Sequence, residues 1–294
     1  MKLPAATRFG PIHIAVTNLD RALPVWRDLV GLSEISRDGE TVTLGASGRP
    51  LVVLEGGAVR PVAQHTSGLY HVAIHVPTRN ELARVTARLI ANRYPNSPTD
   101  HLVSEAVYLW DLDGNGIEMT FETPWRGVMK SNGEDYYALT TDGRRHSGRD
   151  AIDVRGLLGE LDPNDDLRAP LPAGTRIGHV HLHVADLDKA AAYYGDAGVG
   201  FEPLMFNRRI RMGDAGLGYQ PHAIAFNTWA GIGVPQAPSG SAGLRHFTIE
   251  LPTAADLAAL RGRLGDVSDI PGGFEALDPA GNRLKARVAS QVPC

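Results

Sequence analysis

Glu118 stands in the stretch Tyr108-Leu-Trp-Asp-Leu-Asp-Gly-Asn-Gly-Ile-Glu118, which reads as strand, tight turn, strand. Asp113-Gly114-Asn115-Gly116 is turn chemistry, because Gly and Asn accept the positive φ that a tight hairpin needs. Beyond the turn, Ile117, Met119 and Phe121 alternate with Glu118, Thr120 and Glu122, so the period of two puts Glu118 on a polar strand face. A carboxylate standing off a sheet needs a partner, and two histidines earlier in the chain could supply one through a shared metal ion. The only cysteine is Cys294, so any metal site must use His and carboxylate ligands, and no intramolecular disulfide can form.

The histidines lie on strands of a repeated unit. Ile12, Ile14 and Val16 alternate with His13, and a helix through Leu23, Trp26 and Val30 follows, with Asp20 as its expected N-cap. Strands are expected near 34–37, 41–44 and 51–55, giving a βαβββ order. Residues 69–122 repeat it: Val72, Ile74 and Val76 oppose His71, Ala73 and His75, a helix covers about 79–93, and the Tyr108–Glu118 hairpin closes the unit. A third copy starts at Arg176-Ile-Gly-His179-Val-His181-Leu-His183, with Asp186 as N-cap and a last strand near 222–229. The fourth starts at Leu244-Arg-His246-Phe247, with a helix from Thr253, and ends near Lys285. Each first strand must pack one face on helices and turn the other, histidine-bearing face to a concave surface. The expected fold is α+β, with two side-by-side units making a half-open curved sheet. The boundaries expected are 8–123 for one domain, 124–173 for a connector rich in Gly, Asp and Arg, and 174–290 for a second domain.

Composition narrows the function. The chain has 294 residues, 43% hydrophobic and 21% charged, with a formal net charge of −4. That is a soluble globular composition without a general attraction to nucleic acid or an anionic membrane. No apolar run is long enough to span a bilayer, the first residues lack a signal-peptide core, and a cytoplasmic location is the simplest expectation.

Paired βαβββ units with His on the first strand and Glu on the last resemble the vicinal oxygen chelate superfamily, which includes glyoxalase I, the type I extradiol dioxygenases and bleomycin-resistance proteins. The likeness spans almost the whole chain. Asp100-His101-Leu-Val-Ser-Glu-Ala-Val-Tyr108, Asp111 through Glu118, Gly178-His-Val-His-Leu-His183 and Asn227-Thr-Trp229 resemble two-domain catechol-2,3-dioxygenase-like proteins. The resemblance implies two vicinal-oxygen-chelate domains and Fe(II)-dependent (or Mn(II)-dependent) cleavage of a catechol-type aromatic by O2. It implies His13, His71 and Glu118 as metal ligands, a set that leaves coordination positions open for substrate and O2. Tyr108 matches a tyrosine that binds a substrate hydroxyl, and His101 a neighbouring histidine that assists. In the second half His179 and His246 match the histidine positions, His222 resembles an acid/base histidine, and Lys285 stands where glutamate is expected. The intact set in the first half makes that half the expected site, with the His179, His246 and His222 half as the alternative. Related chains also associate as homo-oligomers.

A lone strand histidine is more often structural than a ligand; it is the recurrence at matching places that favours a metal. His75, His181 and His183 read as cleft-lining or structural. Two other functions remain in view. A glyoxalase-type isomerase or lyase would recruit Glu55 as a fourth ligand, and a metal-independent binding protein would tolerate loss of the Glu118 charge.

Overall fold

In the computed structural model, which describes residues 2–131, 135–218 and 220–289, the four repeats are present. Unit one has a first strand Ile12–Ala15, a helix Leu19–Leu23, and strands Ser33–Asp38, Thr41–Ala46 and Arg49–Glu55. Unit two has Gly68–His75, the helix Arg79–Ala91, and strands Ser97–Asp100, Ser104–Trp110 and Gly116–Glu122. Unit three has Arg176–His183, the helix Leu187–Tyr194, and strands Glu202–Asn207, Met212–Leu217 and Gln220–Asn227. Unit four has Gly243–Leu251, the helix Ala254–Leu264, and strands Ser268–Ile270, Gly273–Leu277 and Arg283–Val288.

Side-chain caps start these helices. Asn18 Oδ1 accepts from the Arg21 amide at 3.0 Å, so Asn18 and not Asp20 is the first N-cap. Thr78, Asp186 and Thr253 cap the other three, each satisfying amides that a helix start leaves free. In unit one Pro24 ends the α-helical turn, and the chain continues as the π-helix Pro24–Leu29, which buries Trp26 completely. A proline removes one backbone donor, and a widened turn is one way of absorbing that loss.

The pairing of units departs from the expected side-by-side halves. The first strand of unit two lies antiparallel to that of unit three, with His71 opposite His181 and Val72 opposite Val180. The first strand of unit one lies antiparallel to that of unit four, with His13 opposite His246. Two mixed nine-stranded sheets result, one from units two and three, the other from units four and one, and neither closes into a barrel. Residues 8–123 and 174–290 are therefore the two halves of the chain, but each half contributes to both sheets.

The contacts joining consecutive units explain this arrangement. Asp111 at the hairpin of unit two accepts from the Asp113 and Asn115 amides at 3.0 and 2.8 Å and from the unit-one indole of Trp26 at 3.1 Å. Asp278 of unit four repeats the pattern with the Ala280 and Asn282 amides, at 2.8 and 2.7 Å, and with the unit-three hydroxyl of Tyr194 at 2.9 Å. Gly114 and Gly281 take φ of +93° and +86° in these turns, which glycine does without a Cβ penalty. Each turn thus ties its unit to the helix layer of the preceding one and, through Asn115 to the Ala15 carbonyl and Asn282 to the His183 carbonyl, to the end of its first strand. The first-strand edges stay free to pair across the halves.

The connector is ordered over its described residues. Gly127–Ser131, Tyr136–Thr140 and Arg145–His146 form a small three-stranded sheet. Asp150–Ala151 then adds to the edge strand Ser97–Asp100, and the expected short helix is present at Val154–Leu158. Among the described residues no helix is long and apolar enough to cross a membrane.

Candidate metal centre

Where units two and three meet, His71 from one first strand and His179 from the other converge on Glu118 from the last strand of unit two. The Nε2 atoms of His71 and His179 are 3.0 Å apart, and Glu118 Oε2 lies 2.9 Å from the first and 3.0 Å from the second. All three residues are buried, with 5%, 4% and 2% exposure for His71, His179 and Glu118. Three ligand atoms facing one another at these separations suit a cation between them. Ligands on adjacent corners of an octahedron at ~2.1 Å from the ion would be roughly 3.0 Å apart, and two histidines with one carboxylate on one face make the arrangement that leaves positions open in non-haem iron oxygenases.

Register explains why His179 completes the set and His13 does not. His71 precedes its N-cap Thr78 by the same spacing as His179 precedes Asp186 and His246 precedes Thr253. The residue at that spacing from Asn18 is Pro11, with His13 two places on. His13 thus corresponds to His181, and each stands opposite the histidine of its partner unit. In the other sheet His13 Nδ1 pairs with Glu55 Oε1 at 2.8 Å and its ring stacks on His246 at 4.0 Å. His13 is removed from the His71–Glu118 pair by the exchange of unit partners, and Glu55 cannot serve there as a fourth ligand. The place symmetric with Glu118 is set by parallel pairing: Ala73 is beside Glu118, and His181 is beside Ala225. Alanine offers no ligand, so three side chains, His71, His179 and Glu118, could hold a metal here.

Around the triad most polar groups are engaged, although His71 Nδ1 and His75 Nδ1 lack a hydrogen-bond partner among the described residues. Thr120 donates its hydroxyl to Glu118 Oε1 at 3.0 Å. Burial alone would push the Glu118 carboxyl up, but His179 and His71 hold it well below the usual range. His75 lies between Glu122, 3.4 Å from its Nδ1, and His179 Nδ1, 3.4 Å from its Nε2, and so packs behind the His179 imidazole. Tyr108 pairs with Glu118 across the hairpin. The Tyr108 hydroxyl is 2.9 Å from His101 Nε2, and His101 Nδ1 donates to the Gly148 carbonyl at 2.6 Å, so Tyr108 is the donor to Nε2. Burial, followed by the Glu118 charge, raises the Tyr108 hydroxyl well above its ordinary value.

The other wall comes from unit three. His222 Nδ1 pairs with Asp214 Oδ2 at 2.7 Å, and its ring packs edge-on to His179 with 4.5 Å between centroids. Burial opposes charge on His222, but Asp214 outweighs it and raises the imidazole above its ordinary value. His181 is buried and neutral, accepting from Asn227 Nδ2 at 2.8 Å, while Asn227 Oδ1 accepts from His183 Nδ1 at 2.8 Å and from the Trp229 amide. Tyr70 packs on His71, His181, His183 and Trp229 with centroids 4.9 to 5.2 Å away. The surroundings of the triad are thus aromatic on one side and carry two candidate proton-handling pairs, Tyr108 with His101 and His222 with Asp214.

A catechol-2,3-dioxygenase of Bacillus subtilis (strain 168) is 34% identical over 280 residues, covering 93% of this chain and 94% of the relative. The chain belongs to the catechol-2,3-dioxygenase family. No family model matches it. Among solved structures, a candidate dioxygenase from Bacillus subtilis subsp. subtilis str. 168 superposes with a TM-score of 0.62 at 13% identity, covering 99% of this chain and 87% of the other. Glyoxalase I of Zea mays superposes with a TM-score of 0.55 at 16% identity, over 96% and 92%. Both structures share the paired-unit fold of the vicinal oxygen chelate superfamily.

Among the described residues His71, Glu118 and His179 are the one group of His, Cys, Asp or Glu drawn together closely enough to hold a metal ion. Sequence reasoning found two of these in its first set and the third in its alternative. It placed His246 beside His179, but the structure seats them in different sheets. Asp214 and Asn227 were not singled out as partners. An acid or amide on the polar face of a strand beside a histidine-bearing strand was the available signal.

Proposed function

We propose that this protein is an extradiol dioxygenase that opens the ring of a catechol-type aromatic, with Fe(II) held by His71, His179 and Glu118. The observation that carries the proposal is the convergence of two imidazoles and one carboxylate, with Tyr108, His222 and the Tyr70–Trp229 ring cluster packed around them. When bound, the metal supplies open positions where a dihydroxylated ring and O2 meet. In the overall reaction one ring carbon–carbon bond beside a hydroxyl-bearing carbon breaks, and both oxygen atoms of O2 end in the product, so no external reductant is required.

The chain's own residues prepare that step. Tyr70, Trp229 and the rings of His71 and His181 pack as a face against which an aromatic ring can lie. The Tyr108 hydroxyl, kept protonated by burial and donating that proton to His101 Nε2, accepts a hydrogen bond from a substrate hydroxyl and so orients it. His222 is the acid and base. Its Nδ1 is engaged by Asp214, so Nε2 exchanges the proton, taking it from a substrate hydroxyl and returning it to the opening product. His101 holds Tyr108 in place.

The glyoxalase-type reading needs a fourth ligand, and the symmetric position is Ala225. Oxygen uptake by Fe(II)-loaded protein with a panel of catechols tests the proposal. Uptake with a ring-fission product is expected, with Glu118→Gln losing at least a hundredfold and His13→Ala staying near the parent. Stoichiometric iron with no uptake on any catechol would overturn it.

A further inference from the structure

The sheet of units one and four repeats the metal-bearing sheet position by position, and its ligand positions have changed sign. Parallel register sets Lys285 beside Thr248, as Glu118 is beside Ala73. Pro11 occupies the place of His179, and Val53 that of Ala225. Arg287, beside Glu250, stands where Thr120 stands beside His75. A carboxylate has become an ammonium, and the row after it has gained a guanidinium.

Three polar atoms on this face are buried without a hydrogen-bond partner among the described residues: His246 Nε2, Thr248 Oγ1 and Arg287 Nε. His246 is 5% exposed and Thr248 0%. They lie on consecutive polar-face rows, His246 opposite His13, Thr248 beside Lys285, and Arg287 beside Glu250. Buried polar groups are paired in the great majority of cases, so a run of orphans on one concave face marks a place for an outside partner.

The carboxylates nearby are already engaged. Glu55 meets His13 at 2.8 Å and Arg245 at 3.8 Å; Glu250 meets Arg8 at 3.0 Å; and Glu275 pairs with Arg283 and reaches Lys285 only at 4.0 Å. Among the described residues Lys285 has only a long contact with Glu275, and Arg287 has no ion pair. The face remains open to solvent, since the side chains of His13, Lys285 and Glu275 keep 25%, 24% and 20% of their exposure. The field is positive. Burial, together with His13, Lys285, Arg287 and Arg283, pushes the His246 imidazole down to about 2, so it is neutral and offers a hydrogen bond without adding charge.

We propose that this polar sheet face is a binding site for a small oxyanion, a phosphate or carboxylate group, held by Lys285, Arg287, the Thr248 hydroxyl and His246 Nε2. The ammonium supplies the charge and the other three supply directed hydrogen bonds, a donor set suited to several oxygens on one centre. The repeated unit thus carries a cation on one sheet and an anion on the other. This site stands independently of the reaction proposed for the metal centre.

Calorimetric titration of the full, metal-loaded chain with inorganic phosphate, and separately with benzoate, tests the proposal in a phosphate-free buffer. Saturable binding of one equivalent is expected for at least one probe, and which probe binds tells phosphate from carboxylate. Lys285→Met and Arg287→Gln should each weaken it at least tenfold, while Glu118→Gln retains it and Lys285→Met keeps its oxygen uptake. Histidine-ring NMR gives a reading that does not depend on those variants: the His246 resonances should move on titration while those of His71 and His179 stay. Failure of both probes to bind, binding unchanged in Lys285→Met, or binding lost in Glu118→Gln would overturn the proposal, the last by placing the anion at the metal centre.

Discussion

At the scale of residues, chemistry is set by which atoms share a point. His71, His179 and Glu118 share one, and Ala225 leaves the fourth symmetric place empty of ligand atoms. Ala225→Glu is therefore expected to raise metal affinity while lowering oxygen uptake at least tenfold, because a further carboxylate competes for a position the substrates need; metal titration and uptake on one preparation check both. In the proposed reaction His222 and Tyr108 act beside the ligands rather than as ligands. His222→Gln should keep stoichiometric metal and lose roughly 10²–10⁴-fold in kcat, the usual contribution of a positioned acid or base. Metal analysis alongside rapid kinetics separates that outcome from loss of the ion.

At the scale of elements, the connector is held to the edge of the sheet that carries the His71–His179–Glu118 triad by a bidentate pair. Arg126 donates to Asp100 at 3.0 and 2.7 Å, and the Leu102 amide also donates to Asp100 at 2.7 Å. Burial pushes the Asp100 carboxyl up, but Arg126 and the Leu102 amide outweigh it and leave it below its ordinary value of 3.8. A carboxyl lowered by folding stabilises the fold at pH above that ordinary value, and the contribution is lost as the pH falls through the folded value. Asp100→Asn should thus cost about 1.5–3 kcal/mol at neutral pH, typical of hydrogen bonds to a charged group. The gap between parent and variant should close below pH 3.8. Urea unfolding at several pH values measures it, and a gap independent of pH would contradict the assignment. The neighbouring Gly148 carbonyl holds His101, so this clasp also steadies the Tyr108 pair.

At the scale of the molecule, each sheet draws one unit from each half of the chain. A fragment of residues 1–123 therefore carries His71 and Glu118 without His179, and the remainder carries His179 alone. Neither fragment should bind iron with the parent's affinity, and mixing them should restore it if they refold together. Iron retained by the first fragment alone would contradict the exchanged pairing. The turns at Asp111 and Asp278 are what join consecutive units through Trp26 and Tyr194.

The alternating strands, the capped helices and the turn residues made the four units legible, because periodicity and capping are local properties of the chain. The same local patterns singled out His71 and Glu118, and resemblance supplied their chemistry and brought in His222 and the role of Tyr108. The partner of each unit was not legible. All four first strands present the same apolar-and-histidine alternation, so their edges pair equally well with any sibling. The choice rests on contacts between residues far apart in the chain, Trp26 with Asp111 and Tyr194 with Asp278. That choice moved His13 to the far sheet, brought His179 to Glu118 and put His222 within reach of the site. The types of side chain were written in the chain; which of them would share one point was decided by tertiary packing.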